Sequence, residues 1–295
     1  MRSLLTALAL VTLSVTPLTG QGPDPMKIFI SVDMEGIGGI GTPAMTQSSG
    51  KDYATGRELM TAEVLAVIEA IRSVGPAEIL VNDSHGDMQN LLHTRLPEDV
   101  EYIQGNIKPL GMVQGLNASF DGAIFVGYHA RAGTPEAFLA HTGSGSVKGL
   151  WIDGTEVGEG GLNAYYAGSL GVPVLVASGD EGFTRQFAAL VPTAQMVATK
   201  SAIGSSVARL IHPEVVRNRL RDATVAALSD LSGHRPLAVS GPVEVQMRFA
   251  TTTRADILQA VPGMRRVDGT TVMFGATDMG QAYAVVRLAY KYISW

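Results

Sequence analysis

The stretch Lys27-Ile28-Phe29-Ile30-Ser31-Val32-Asp33-Met34-Glu35-Gly36 (residues 27–36) decides the fold. Its first six residues, 27–32, form a short apolar run with β-branched side chains at Ile28, Ile30 and Val32, the composition of a strand buried on both faces. Two carboxylates two residues apart follow at once, and then glycines at 36, 38, 39 and 41. A buried strand that opens into a polar, glycine-rich turn belongs to a parallel sheet, where ligands gather beyond the carboxyl ends of the strands. Residues 78–81, 123–128 and 173–177 repeat the pattern of a short apolar run ending in polar residues. Between the first two, residues 52–74 carry an N-cap candidate, Asp52, apolar residues at Val64, Val67, Ile68, Ile71 and Val74, and a stop at Gly75 and Pro76. Strand, helix, strand in alternation predicts an α/β fold with a mainly parallel central sheet flanked by helices.

Further along, Asp153-Gly154 between two short apolar stretches (residues 150–157) is a type I′ hairpin signature and predicts a protruding ribbon. Residues 161–170 read as a helix ended by Gly171, and Pro213 starts a longer one through Leu231. After a polar stretch rich in Gly and Pro (232–242) come a strand at 243–249, a short helix at 254–260, a strand at 271–274 and a last helix from Asp278, a smaller C-terminal α+β unit within 232–295. At the other end, Arg2, the apolar run 4–15 and the small residue Gly20 read as an export signal over residues 1–20. The run is too short to span a bilayer. A linker, 21–25, leads to the main domain, 26–295. The expectation is an exported protein, periplasmic or secreted, with no membrane attachment after signal removal.

Composition removes several function classes. The 295 residues include 22 Lys plus Arg and 27 Asp plus Glu, a net charge of −5 that offers no footprint for nucleic acid. With no cysteine, disulfides, thiolate metal sites and Cys nucleophiles are excluded, so a bound metal must use His and carboxylates. The 34 glycines exceed the roughly 21 of average usage and place function in tight loops. The glycines after Glu35 are no nucleotide loop, because no Lys-Ser/Thr follows them.

Three strand ends carry metal-type side chains: Asp33 and Glu35, His85 in residues 81–86, and His129 in residues 126–131. Any one alone reads as a cap or a core histidine. Together they point to a metal site, since a doubly wound sheet brings such ends to one rim and imidazole with carboxylate is the zinc donor set when thiolate is absent. Glu159, flanked by glycines at a hairpin-to-helix junction, reads either as a helix cap or as a reach toward a cation. His141 follows no strand and stands in a Gly/Ser/Thr-rich stretch, either an active-site loop or plain surface.

The runs 31–36, 82–85, 127–132 and 158–165, in this order and spacing, resemble the zinc-dependent D-aminopeptidases, and the likeness extends from Met26 to nearly the C-terminus. The resemblance implies two Zn²⁺ ions per subunit held by Asp33, Glu35, His85, His129 and Glu159, with Asp33 bridging, and His141 as the catalytic residue. It also implies a homo-oligomer that encloses its active sites. The loop around His141 is the least similar stretch. On this reading the chain removes N-terminal D-amino acids from short peptides, a metal or a carboxylate holding the α-amino group and His141 moving protons. Other expectations are a dinuclear deacylase or phosphoesterase, or an exported, non-catalytic peptide-binding module. Phosphate chemistry would want cationic clamps, and in the sequence only Arg131 and Lys148 lie near the motifs.

Overall fold

The computed structural model describes residues 24–239 and 241–292. The export segment 1–20 and linker residues 21–23 lie outside the described residues. In chain order the elements are β1 (Met26–Val32), α1 (Tyr53–Val74), β2 (Ala77–Asp83), β3 (Glu101–Ile103), β4 (Gly122–Tyr128), β5 (Val147–Ile152), β6 (Thr155–Glu156), α2 (Glu159–Ser169), β7 (Val174–Asp180) and α3 (Glu181–Leu190). They continue with β8 (Gln195–Gly204), β9 (Val207–Leu210), α4 (Pro213–Ser229), β10 (Val243–Phe249), α5 (Thr252–Leu258), β11 (Arg265–Arg266), β12 (Thr271–Ala276) and α6 (Met279–Arg287).

The larger sheet has the order β3-β2-β1-β4-β7-β8-β9 and is parallel except for β9, which closes one edge antiparallel to β8. The chain winds from β1 outward to β2 and β3 on one side and from β4 to β7 and β8 on the other. The switch point between β1 and β4 is therefore the expected address of a ligand. Side chains alternate across the central strands as the pleat requires. Ile28, Ile30, Val32, Ile124 and Val126 pack under α1 and α4, and Phe29 and Phe125 pack on the opposite face. Val64, Val67, Ile68 and Ile71 of α1 are buried on that first face, which is why the helical spacing was legible. Asp52 does precede α1, but its side chain makes no capping hydrogen bond.

The second sheet, β11-β12-β10-β5-β6, is antiparallel and shares one core with the opposite face of the larger sheet and with α2 and α6. Asp153 (φ +46°) and Gly154 (φ +77°) do form the two-residue turn between β5 and β6. The hairpin does not protrude, however. β5 lies inside the sheet against β10, and Leu150 and Ile152 are fully buried. The C-terminal α+β segment is thus completed by strands from the middle of the chain.

Candidate metal centre

The three central strands end side by side: Val32 of β1 pairs with Asp83 of β2 and with Val126 of β4. Residues just past these ends, Asp33 and Glu35, His85, and His129, therefore meet at one rim, and all four are buried. Gly36 makes the approach close. Its N–H donates to Gly127 O (2.8 Å), and a Cβ there would lie 1.9 Å from Tyr128 O, so no larger residue fits between β1 and β4. Glu159 arrives from another direction, as the first residue of α2, with its carboxylate turned inward rather than left at the helix end.

Each histidine is aimed by a backbone carbonyl. His85 Nε2–H donates to Thr46 O (2.7 Å), His129 Nδ1–H to Ala130 O (3.0 Å) and His141 Nδ1–H to Leu139 O (2.9 Å). The other ring nitrogen of each faces the carboxylates. His85 Nδ1 lies 3.2 Å from Asp33 Oδ1 and 3.0 Å from Glu35 Oε2. His129 Nε2 lies 3.4 Å from Asp33 Oδ2 and 3.5 Å from Glu159 Oε1. Such carbonyl partners fix ring orientation in histidine metal sites. The His141 ring stacks on that of His129, centroids 4.1 Å apart, with Nε2 3.6 Å from Glu159 Oε1.

The carboxylate loop is clamped from beneath. Lys200 Nζ, from the middle of β8, donates to Glu35 O (2.5 Å) and Ile40 O (2.7 Å), and Thr199 Oγ1 donates to Gly36 O (2.6 Å). Glu63 of α1 accepts from Gly38 N–H (2.6 Å). Burial pushes the Lys200 ammonium down to about 7 and the Glu63 carboxyl up to about 7.

Burial, then the Glu35 carboxylate, pushes Asp33 up to about 7. Burial opposes protonation of His85 and His129, but the carboxylates facing them, Glu35 and Asp33 for the first and Glu159 and Asp33 for the second, hold both well above the ordinary imidazole value. For Glu159 burial acts upward and is outweighed by His129, which brings the carboxyl to about 2. Glu35 is likewise held well below the ordinary range, His85 overcoming its burial.

Among the described residues, ligand-capable atoms group in three sets, each within 4.8 Å: Asp33, Glu35 and His85; Asp33, His129 and Glu159; and Glu35, His129 and His141. A D-aminopeptidase family model matches residues 26–288, which hold every one of these side chains. The chain belongs to the D-aminopeptidase family. It is 38% identical over 259 residues to the D-aminopeptidase of Bacillus subtilis (strain 168), covering 88% of this chain and 94% of that one. Among solved structures it is similar to a zinc-dependent D-aminopeptidase from Bacillus subtilis described as a self-compartmentalizing protease, with a TM-score of 0.87, 36% identity, and 90% and 96% of the two chains covered. Family members are peptide hydrolases, and this chain is an enzyme of that class.

The cluster lines a cavity of about 380 Å³ whose walls also include Thr46, Met112, Gly143, Arg287, Tyr290 and Lys291. A slightly larger neighbouring cavity, about 420 Å³, is walled by Phe183, Phe187 and Arg131 and shares only His129 with the cluster. The cations near the motifs in sequence are not those near them in space. Arg131 pairs with Glu156 (3.0 Å), facing that neighbouring cavity, and Lys148 is exposed on β5. Arg287 and Lys291, far along the chain, line the cavity of the cluster. Sequence reasoning missed them and Lys200 and Thr199. The available signal was a lone cation inside an apolar element, as in residues 197–200 and 282–289.

Proposed function

We propose that this family member is a dinuclear zinc aminopeptidase that removes N-terminal D-amino acids from short peptides. One observation carries the metal reading: Asp33 Oδ2 and His129 Nε2 are buried and face each other, yet neither has a hydrogen-bond partner. Buried polar atoms are otherwise satisfied, so two that converge without partners fit a cation. The donor set, imidazole plus carboxylate with carbonyl-oriented rings, suits zinc. Two overlapping sets supply two positions, Asp33 with Glu35 and His85, and Asp33 with His129 and Glu159, with Asp33 common to both. Bound zinc supplies Lewis-acid polarisation of the scissile carbonyl and a water acidified toward neutrality.

The side chains divide the remaining work. At the cluster a metal or a carboxylate would hold the α-amino group of the peptide. His141 is about one-third exposed at its side chain and has Nε2 free of a backbone partner, so it is placed to take a proton from the nucleophile or give one to the leaving amine. The third set includes His141, but its stacking on His129 and exposure toward the cavity suit proton transfer. The self-compartmentalizing relative supports a homo-oligomer, and residues 1–20 support an exported protein.

The deciding experiment is hydrolysis of paired D-Ala and L-Ala dipeptides with metal analysis of the same sample. The expected result is release of D-alanine by protein holding two zinc ions per chain. Preference for the L substrate, or one zinc at full activity, overturns the corresponding half of the proposal.

A further inference from the structure

Arg287, in the last turn of α6, is 1% exposed. Its guanidinium donates to Tyr290 Oη (2.9 Å), Lys108 O (3.2 Å) and Tyr292 Oη (3.3 Å), while Nε has no acceptor. All three acceptors are neutral, and no carboxylate among the described residues forms an ion pair with it. Buried charges ordinarily carry a counter-charge, so Arg287 is a cation short of an anion. Lys108, whose ammonium is spent on Asn82 Oδ1 and Asp83 O, adds positive charge behind it. Lys291 lies at the rim with Nζ on Gly86 O (3.1 Å), one residue beyond His85. Arg287 and Lys291 line the same cavity as the cluster of Asp33, Glu35 and Glu159.

The cavity thus has two walls of different chemistry, the cluster that the proposed function gives to zinc and a cationic one without a counter-ion. A short peptide with free termini is the matching ligand, its amino end at the cluster and its carboxylate reaching the cations. We infer that Lys291 at the rim, backed by the buried charge of Arg287, forms a subsite for the free C-terminal carboxylate of a short peptide, which favours peptides whose free end reaches it over C-terminally blocked ones. The inference rests on the aminopeptidase reading of the cluster.

The test compares D-Ala-D-Ala with its C-terminal amide on the zinc-loaded full chain, a comparison that needs no variant. The acid should be favoured about ten- to a hundredfold in kcat/KM, the difference lying in KM, as expected for loss of a charge-assisted hydrogen bond. Lys291→Met should raise KM for the acid and narrow that ratio. Arg287 is too deeply packed for its own replacement to be the sole test. An amide cleaved as well as the acid, or a ratio that Lys291→Met leaves intact, overturns the subsite. If neither compound is cleaved the hydrolytic reading fails, and calorimetric binding of the two decides the subsite by itself: tighter binding of the acid supports it, and equal binding overturns it.

Discussion

The two halves of the cluster share Asp33 but are closed differently. In the half with Glu35, the His85 ring hydrogen-bonds both carboxylates, at 3.0 and 3.2 Å, and a proton on the ring satisfies everything present. In the half with Glu159, the corresponding distances are 3.4 and 3.5 Å, and Asp33 Oδ2 and His129 Nε2 are left without partners. A proton can stand in for a cation where the ligands come from turns directly after neighbouring strands. Where one carboxylate comes from the first residue of a helix, as Glu159 does, the ring and the carboxylates stand further apart.

The sharpest way to break this comparison is to remove what the halves share. Asp33→Asn should drop zinc content from two ions toward none and abolish turnover, whereas Glu35→Gln should spare the ion held by His129 and Glu159. Full zinc occupancy in Asp33→Asn, measured by metal analysis, contradicts a common ligand. Next in size is His141→Ala, which should keep both ions and the fold yet lose about 10² to 10⁴ in kcat. Loss of zinc in step with activity would make His141 a ligand of the second half.

Lys200→Met probes the first half from below, because Lys200 holds the backbone of Glu35 while leaving its carboxylate untouched. Zinc affinity at the Glu35 half should fall about 10- to 100-fold, the scale of other supporting residues around metal ligands. Competition with a chelator reads it, and an unchanged affinity with a lowered unfolding midpoint would confine Lys200 to stability. The last test is pH. His85 and His129 are held above their ordinary value, so both carry protons at neutrality in the metal-free protein, and zinc takes only neutral rings. Zinc binding should therefore release protons, and affinity should weaken as pH falls, by about tenfold per unit for each proton displaced. Calorimetry in two buffers of different ionisation heat measures the number released, and none released contradicts the protonated cluster.

What was legible in the sequence follows the range of the forces involved. β1, β2 and β4 are buried on both faces, so each is a self-contained apolar run, and the residues that meet at the rim directly follow those runs. Glu159 could be flagged by its flanking glycines, but only the structure shows its carboxylate accepting from Gly143 N–H (2.6 Å) and facing His129. β8 and β9, at one end of the sheet, are only partly covered, β8 with three buried positions and β9 with none, so neither carries a continuous apolar run. The pairing of β5 with β10 joins residues nearly a hundred positions apart, beyond any local pattern, and the same holds for Arg287 beside the cavity.

The loop that carries His141 is sewn down on its later side. Thr142 Oγ1 accepts from Ala132 N–H (3.0 Å), Gly143 N–H is held by Glu159, and Leu139 N–H donates to Ser205 O (2.8 Å). Gly143 itself (φ +69°) has the Tyr290 ring where a Cβ would stand. Gly133, Pro135 and Glu136, upstream of these stitches, are exposed. Extra residues spliced in at that tip would loop out into solvent and leave the imidazole in register, which makes it the natural place to graft a dye or an affinity handle within sight of the cavity mouth.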